Sequence, residues 1–328
     1  MKTVAIVGTY SPVSIEMLEE KLSVNYQCIH LTNLSDYEKF SKANYVILRG
    51  PKMNADVLDK LTGNLKLIQR WGTGYDGIDI KRAGELGILV GITSGINANA
   101  VSELTIALIL TLYRHIIPLH NKLITGIWDR QLYADKTYEI KGKIVGLVGL
   151  GNIGRLVAQK LQVFGAKVIY YDIYRLPLEK EQELNIDFAS LIDLFSSSDI
   201  VSLHIPSTED TIGMVNKEMF SIMKPNAVFV NTSRGNIVNE NDLYIALRNH
   251  QILGAGLDTF SEEPLSSDSP LLSLDNIVIL PHVGGNTFDM NSAMVERVVE
   301  NIFHIENKEQ LHSGDLVNGK YLIPNNTL

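Results

Sequence analysis

Residues 143–172 constrain the fold more than any other stretch of the chain. Lys143-Ile-Val-Gly-Leu-Val is an apolar run of strand length that leads straight into Gly149-Leu-Gly151-Asn152-Ile153-Gly154. A helix-like segment follows from Arg155 and stops at Gly165; a second apolar run, Lys167-Val-Ile-Tyr-Tyr, ends on Asp172. Strand, glycine turn, helix, strand and acidic residue together fill the roughly 30 residues that a βαβ unit needs.

The chemistry of the turn points to a dinucleotide. Gly149 allows the tight turn off the strand, Gly151 removes a Cβ so that a pyrophosphate reaches the backbone, and Gly154 lets the helix pack close to the sheet. The helix N-terminus, at Asn152 and Ile153, presents N–H groups and a positive dipole end to the phosphates. Asp172 stands at the tip of the second strand, where a carboxylate accepts both hydroxyls of an adenosine ribose. A 2′-phosphate there meets like charge, which favours NAD(H) over NADP(H). Arg175, just beyond, pulls the other way, because an arginine can accommodate such a phosphate.

With 328 residues the chain is long enough for two domains. It is 45% hydrophobic and 20% charged, ordinary for a globular protein, and its net charge of -8 argues against a nucleic-acid partner or a membrane-surface role. Cys28 is the only cysteine, which leaves no internal disulfide or cysteine-based metal site and fits a reducing cytosol. No metal is expected. The apolar stretch in residues 1–8 is too short for a signal peptide and reads as a first strand. The longest apolar run, residues 104–113, is flanked by Glu103 and Arg114, falls short of a membrane span and reads as a buried helix.

Strands are expected at 4–7, 45–48, 65–69 and 88–90, and again at 143–148, 167–171, 200–204, 227–231, 254–258 and 277–280. Helices are expected between them at 14–22, 55–61, 191–195, 219–223 and 240–248, with a last one at about 289–305. This alternation predicts the α/β class: two Rossmann-like domains, each a parallel sheet flanked by helices. The first βα turn, Gly8-Thr-Tyr-Ser, lacks the glycine fingerprint, so the first domain shares the layering without holding the dinucleotide. A long helix at 100–117, capped by Asn97 or Asn99, is apolar on nearly all sides and should be buried, with a kink or restart at Pro118.

Three polar residues stand at the carboxyl ends of second-domain strands, where open α/β sheets place their ligands. Arg234 follows Val-Phe-Val-Asn-Thr-Ser, Glu263 lies shortly after Asp258, and His282 follows Ile-Val-Ile-Leu-Pro. Taken singly each has a bland reading: a solvated turn arginine, a surface Glu-Glu-Pro loop, a strand-end histidine. Their joint occurrence on one sheet edge beside a dinucleotide turn favours a catalytic set.

Further segments carry a resemblance. Arg70-Trp-Gly72-Thr73-Gly74-Tyr-Asp-Gly-Ile-Asp, Asn97-Ala-Asn-Ala-Val-Ser-Glu103, Leu203-His204-Ile-Pro206, Asn231-Thr232-Ser233-Arg234-Gly, Leu257-Asp258-Thr-Phe-Ser-Glu-Glu263-Pro264 and Pro281-His282-Val-Gly284-Gly285 flank the glycine turn in order. Over nearly its whole length the chain resembles the D-isomer-specific 2-hydroxyacid dehydrogenases, most of all the phosphoglycerate dehydrogenase branch.

The resemblance implies hydride transfer between the nicotinamide of NAD(H) and C2 of a 2-hydroxy or 2-keto acid. His282 is then the acid/base, suited because imidazole titrates near neutral pH. Glu263 orients it and favours the imidazolium, and Arg234 binds the substrate carboxylate and polarises the C2 oxygen. Backbone N–H groups of Gly72, Thr73 and Gly74 complete the carboxylate site, and domain closure excludes water. Asp258 holds the nicotinamide carboxamide, with His204, Pro206, Thr232, Ser233, Gly284 and Gly285 among the cofactor contacts.

The resemblance also implies a flavodoxin-like substrate domain, 1–98 and 286–328, into which a cofactor domain, 99–285, is inserted. A cytosolic homodimer is implied, paired through the long helix and the Trp128 region. Trp71, Tyr75 and Ile96 are candidates for the substrate pocket. Thr73 replaces the lysine of phosphite dehydrogenases, which argues against phosphite. Arg49 matches a phosphate-contacting arginine of the phosphoglycerate branch, but that branch's second arginine is replaced near Pro51-Lys52, so Arg49 reads equally well as a strand-end surface residue. No regulatory domain is expected beyond Leu328. The competing class is a non-catalytic NAD(H)-sensing protein of the corepressor type, which resembles the same family.

Overall fold

Strands that are apolar along their whole length need both faces covered, and the chain meets that need twice. A computed structural model describes residues 1–34, 40–61 and 63–322. Its contacts divide the chain into two compact units, Met1–Asn97 with Thr287–Leu328, and Ala98–Asn286.

The first unit holds a parallel five-stranded sheet of β1 (Lys2–Gly8), β2 (Tyr26–Leu31), β3 (Tyr45–Arg49), β4 (Leu67–Arg70) and β5 (Leu89–Gly91), in the order β2-β1-β3-β4-β5. The helix Pro12–Leu22 begins where the Ser11 side chain accepts the Ser14 N–H, with proline in the first turn, where its missing N–H is no loss. The helix Met290–Glu306 turns Met294, Val295, Val298, Val299, Ile302 and Ile305 onto a core shared with Val4, Ile6, Tyr45, Ile47 and Leu67. That three-and-four spacing is one helix face, and each such side chain contributes about 2 kcal/mol by leaving water. Asn301 is buried on the same face and is satisfied there: its Nδ2 donates to Gln69 Oε1 at 3.0 Å and to Asp315 Oδ2 at 2.9 Å.

The second unit holds a parallel seven-stranded sheet: β6 (Ile144–Val148), β7 (Lys167–Tyr171), β8 (Ile186–Phe188), β9 (Ile200–Leu203), β10 (Val228–Asn231), β11 (Gly254–Leu257) and β12 (Ile277–Ile279). The order is β12-β11-β10-β9-β6-β7-β8. Every residue of β9, β10 and β11 is buried, between one core cluster around Leu108, Leu147 and Leu161 and another around Phe195, Phe229 and Leu243.

Differences from the sequence expectation sit at the sheet edges and in the long helix. β2 and β8 were not anticipated; both are edge strands, and each carries polar, exposed positions that weaken the apolar signal. The expected single helix at 100–117 is two, Ala98–Tyr113 and Ile116–Ile124, bent by 61°. The break lies at His115, in the left-handed region at φ 48°, upstream of Pro118, which sits in the first turn of the second helix. Nor do the asparagines cap as expected. Asn99 lies inside the helix and donates to Glu103 Oε1 at 2.8 Å, while Asn97 Oδ1 is buried without a hydrogen-bond partner among the described residues. No single helix among the described residues is long and apolar enough to cross a membrane.

Candidate active site

All seven strands of the second unit run parallel, so their carboxyl ends share one edge. The residue directly after β6 is Gly149, after β7 Asp172, after β9 His204, after β10 Thr232 and after β11 Asp258; His282 stands just past β12. β6 and β9 are neighbours although the chain visits β7 and β8 between them. Such a reversal of strand order opens a crevice for a ligand.

The glycine turn has the backbone shape that its spacing predicts. Gly149 has φ 96°, and a Cβ there would meet the His204 carbonyl oxygen at 2.5 Å. A Cβ on Gly154 would meet the Gly149 carbonyl oxygen at 2.2 Å, whereas one on Gly151 would project into open space. The turn is thus closed where it packs and open where a phosphate would approach. The helix Asn152–Val163 starts from Gly151, which offers no side-chain cap. Asp172 is tied to this turn: its Oδ2 accepts the Leu150 N–H at 2.9 Å and its Oδ1 the Tyr174 N–H at 3.2 Å. That fixes the carboxylate beside the loop that would hold the pyrophosphate.

His204 lies behind the turn. Its Nε2 is 3.0 Å from Ser202 Oγ, and Nδ1 is buried without a partner among the described residues. Burial lowers its pKa to about 3, so the ring is neutral. Thr232 is buried, with its hydroxyl 3.0 Å from that of Thr105. Ser233 donates through both N–H and hydroxyl to Asn231 Oδ1, at 3.0 and 2.7 Å, and Asn231 Nδ2 donates to the Arg234 carbonyl at 2.9 Å. Asn231 therefore shapes the turn that presents Arg234, a role to which an asparagine at a strand end was the available signal. The Pro206 carbonyl accepts the Thr211 hydroxyl at 2.9 Å. These residues fit a dinucleotide: a cradle with no Cβ, a helix start without a side-chain cap, and a fixed carboxylate.

Glu263 and His282 are brought together. His282 Nδ1 is 2.7 Å from Glu263 Oε2, and Glu263 Oε1 accepts the Phe260 N–H at 3.0 Å. An ionised carboxylate only accepts, so the Nδ1 proton lies in this bond and Nε2 is left for other chemistry. Burial alone would push the Glu263 carboxyl up. The hydrogen bonds from His282 and Phe260, with the charges of His282 and Arg234, outweigh that and hold it below the usual range. Arg234 thus acts on the pair through its charge, while its Nη1 donates to the Ser233 carbonyl at 2.7 Å.

His282 itself takes a left-handed backbone, φ 53°. The turn is held from below by Asp258, whose Oδ1 accepts the Val283 N–H and Oδ2 the Gly284 N–H, both at 2.8 Å. Asp258 is buried, which raises its carboxyl above the ordinary range although these two N–H groups pull it back down. Gly284 is buried and Gly285 half-buried along the same turn.

The remaining sequence candidates belong to the first unit. Arg49 ends β3, with its guanidinium 5.9 Å from the centre of the Tyr10 ring. Gly72 has φ 115° and exchanges hydrogen bonds with Thr93, its N–H donating to the Thr93 hydroxyl and its carbonyl accepting the Thr93 N–H, both at 3.1 Å. The Gly74 carbonyl accepts from Arg70 Nε at 2.7 Å, so Arg70 braces the turn through Gly72, Thr73 and Gly74.

Residues 106–284 match the family described as D-isomer specific 2-hydroxyacid dehydrogenase, NAD binding domain. The chain is 39% identical over 256 residues to a glyoxylate reductase of Thermofilum pendens, covering 77% of this chain and 75% of that one. It is 39% identical over 260 residues to a hydroxypyruvate reductase of Thermotoga maritima, covering 79% and 83%. A D-3-phosphoglycerate dehydrogenase of Methanocaldococcus jannaschii is 37% identical over 291 residues, 88% of this chain but 54% of that one. Among solved structures, D-lactate dehydrogenase from Aquifex aeolicus, complexed with NAD and lactic acid, matches with a TM-score of 0.86 at 27% identity over 96% of this chain and 99% of that one. With its parallel sheets, dinucleotide turn and these relatives, the chain belongs to the D-isomer specific 2-hydroxyacid dehydrogenase family and is an NAD-dependent oxidoreductase of the class acting on a CH–OH group.

Proposed function

We propose that the protein reduces a small, unphosphorylated 2-keto acid, of the size of glyoxylate or hydroxypyruvate, to the corresponding 2-hydroxy acid, the D-isomer where C2 becomes a stereocentre, in the cytosol. The observation that carries this is the 2.7 Å pairing of His282 with Glu263 on the strand edge that also bears the glycine turn. When bound, NADH supplies the hydride that reduces C2 of the keto acid.

His282 delivers the proton. Its Nδ1 stays with Glu263, and Nε2 gives a proton to the C2 oxygen as the carbonyl becomes a hydroxyl. In the oxidative direction the same nitrogen takes that proton back. Glu263, held ionised, compensates the imidazolium charge and stops the ring from turning. We assign the substrate carboxylate to Arg234, whose planar fork suits it. Asp172 takes the adenosine ribose and Asp258 the nicotinamide carboxamide.

Glyoxylate and hydroxypyruvate come from the names of the relatives at 39% identity. The packing of Arg49 against Tyr10 supports an unphosphorylated substrate over 3-phosphoglycerate, since it gives that charge a structural use. The lone cysteine supports a reducing compartment such as the cytosol. Homodimer pairing is supported by the apolar side chains exposed at 116–128: Ile116, Ile124, Ile127 and Trp128 are 50, 69, 48 and 78% exposed.

The test is NADH oxidation with glyoxylate, hydroxypyruvate, pyruvate, branched 2-keto acids and 3-phosphohydroxypyruvate. The expected result is kcat/KM highest for one of the first two and lower by at least about tenfold for the phosphorylated acid. NADH binding without turnover of any acid would instead make the protein a sensor.

A further inference from the structure

Arg175 is the one feature of the cofactor turn that argued for NADP(H) in the sequence, and the structure gives it another employment. It stands between β7 and the helix Leu178–Leu184, in the loop that begins with Asp172. Its Nε donates to Glu181 Oε1 at 2.9 Å and its Nη2 to Glu181 Oε2 at 3.0 Å, a bidentate pair. The guanidinium also lies 5.0 Å from the centre of the Phe188 ring on β8. Glu181 is 6% exposed, whereas the Arg175 side chain is 52% exposed. The arginine is therefore held by its partner and not by enclosure.

The hold is reinforced from behind. The Tyr170 hydroxyl donates to Glu181 Oε1 at 2.8 Å and accepts the Leu176 N–H at 2.8 Å, so the loop after Arg175 is tied to the same carboxylate. For Arg175 to turn towards a phosphate, a buried carboxylate would lose its cation. Arg175 and Glu181 cancel each other's charge, and Asp172 is left as the uncompensated charge beside the ribose.

We propose that Glu181 is a specificity-determining residue: it enforces NAD(H) over NADP(H) by engaging the guanidinium that a 2′-phosphate would otherwise recruit. This rests on the assignment of Asp172 to the adenosine ribose. Binding of NADH and NADPH, followed by nucleotide fluorescence, tests it in Glu181→Gln, Arg175→Ala, the double variant and Asp172→Ser.

In Glu181→Gln the amide can still accept the Tyr170 hydroxyl, and the ratio of NADPH to NADH affinity should rise about tenfold, the worth of one charge-assisted hydrogen bond. Adding Arg175→Ala should abolish the gain. The double variant removes both charges together, so it reports even if the Glu181 variant alone does not fold, and its ratio should match the parent's; Arg175→Ala alone, which leaves Glu181 without its cation, should keep the ratio within about twofold of the parent, because a paired arginine gives a phosphate little. An unmoved ratio in Glu181→Gln, a gain that survives loss of Arg175, or several-fold weaker NADPH binding in Arg175→Ala overturns the proposal. If Asp172→Ser shifts the ratio while Glu181→Gln does not, only the role of Glu181 falls; if Asp172→Ser shifts nothing, the ribose assignment falls first.

Discussion

Glu263 and His282 meet through a 2.7 Å contact between Oε2 and Nδ1, and the second oxygen of the same carboxylate is anchored on the Phe260 N–H. The imidazole is oriented by a group that is itself oriented by backbone.

Replacing His282 by Asn removes the proton donor while keeping a polar side chain of similar reach. Turnover should fall by ~10²–10⁴, with the NADH dissociation constant within about twofold of the parent. Steady-state kinetics alongside fluorescence titration decide it; near-normal turnover takes His282 out of the mechanism.

Glu263→Gln should cost about 10–10² in kcat, because the ring loses the charge that stabilises its protonated form. Stability carries a second signature. A carboxyl whose folded pKa is depressed stabilises fully above its unfolded pKa and loses that contribution as pH falls through its folded value. Thermal melts of Glu263→Gln should therefore lose less stability than the parent on acidification below roughly pH 4.5, the ordinary glutamate range. Parallel curves would show that the pair is not coupled to folding.

His204 gives the larger acid effect. Its folded pKa is lowered to about 3, whereas an unfolded histidine titrates near 6.5. Between those values the unfolded chain binds a proton that the folded one refuses, so stability falls as pH is lowered, by about 1.4 kcal/mol per pH unit for one site. Above pH 7 the effect is absent. Denaturant melts of His204→Asn should show a shallower slope from pH 6 to 4, and an unchanged slope would mean the ring is protonated without penalty.

Asp258→Ala should leave the Val283 and Gly284 N–H groups without their acceptor and free the turn behind His282. Each unpaired N–H costs about 1–3 kcal/mol, so a drop in Tm of several degrees should accompany a fall in kcat. A stable variant with full activity would show that the turn holds itself.

Pairing of two copies through residues 116–128 is tested by Ile124→Asp combined with Trp128→Asp. Light scattering should give twice the chain mass for the parent and the chain mass for the variant. A monomeric parent ends that assignment.

The central strands were legible because a parallel strand buried on both faces is dominated by apolar residues, as β6 is along its whole length. β2 and β8 were not, since one side of each has no partner strand and tolerates Gln27 or Asp187. The helix break at His115 was displaced in the reading because proline draws attention to itself, yet in a first turn it breaks nothing. In the site, the glycine turn was readable from spacing, because each glycine answers a local steric demand. The meeting of Glu263 with His282 depends on two loops from adjacent strands, which no local pattern encodes; it was expected through the family resemblance alone. What Arg175 does was hidden for the same reason: its partner lies on the next helix and looks there like any surface glutamate.

The strand order carries one more consequence. From β12, which precedes His282, to β7, which precedes Asp172, the sheet takes five steps between neighbouring strands, or about 24 Å at ~4.8 Å each. The sheet is therefore a ruler. A short ligand reaches one of these marks or the other; only a longer one spans both, and backbone hydrogen bonding sets the spacing between them.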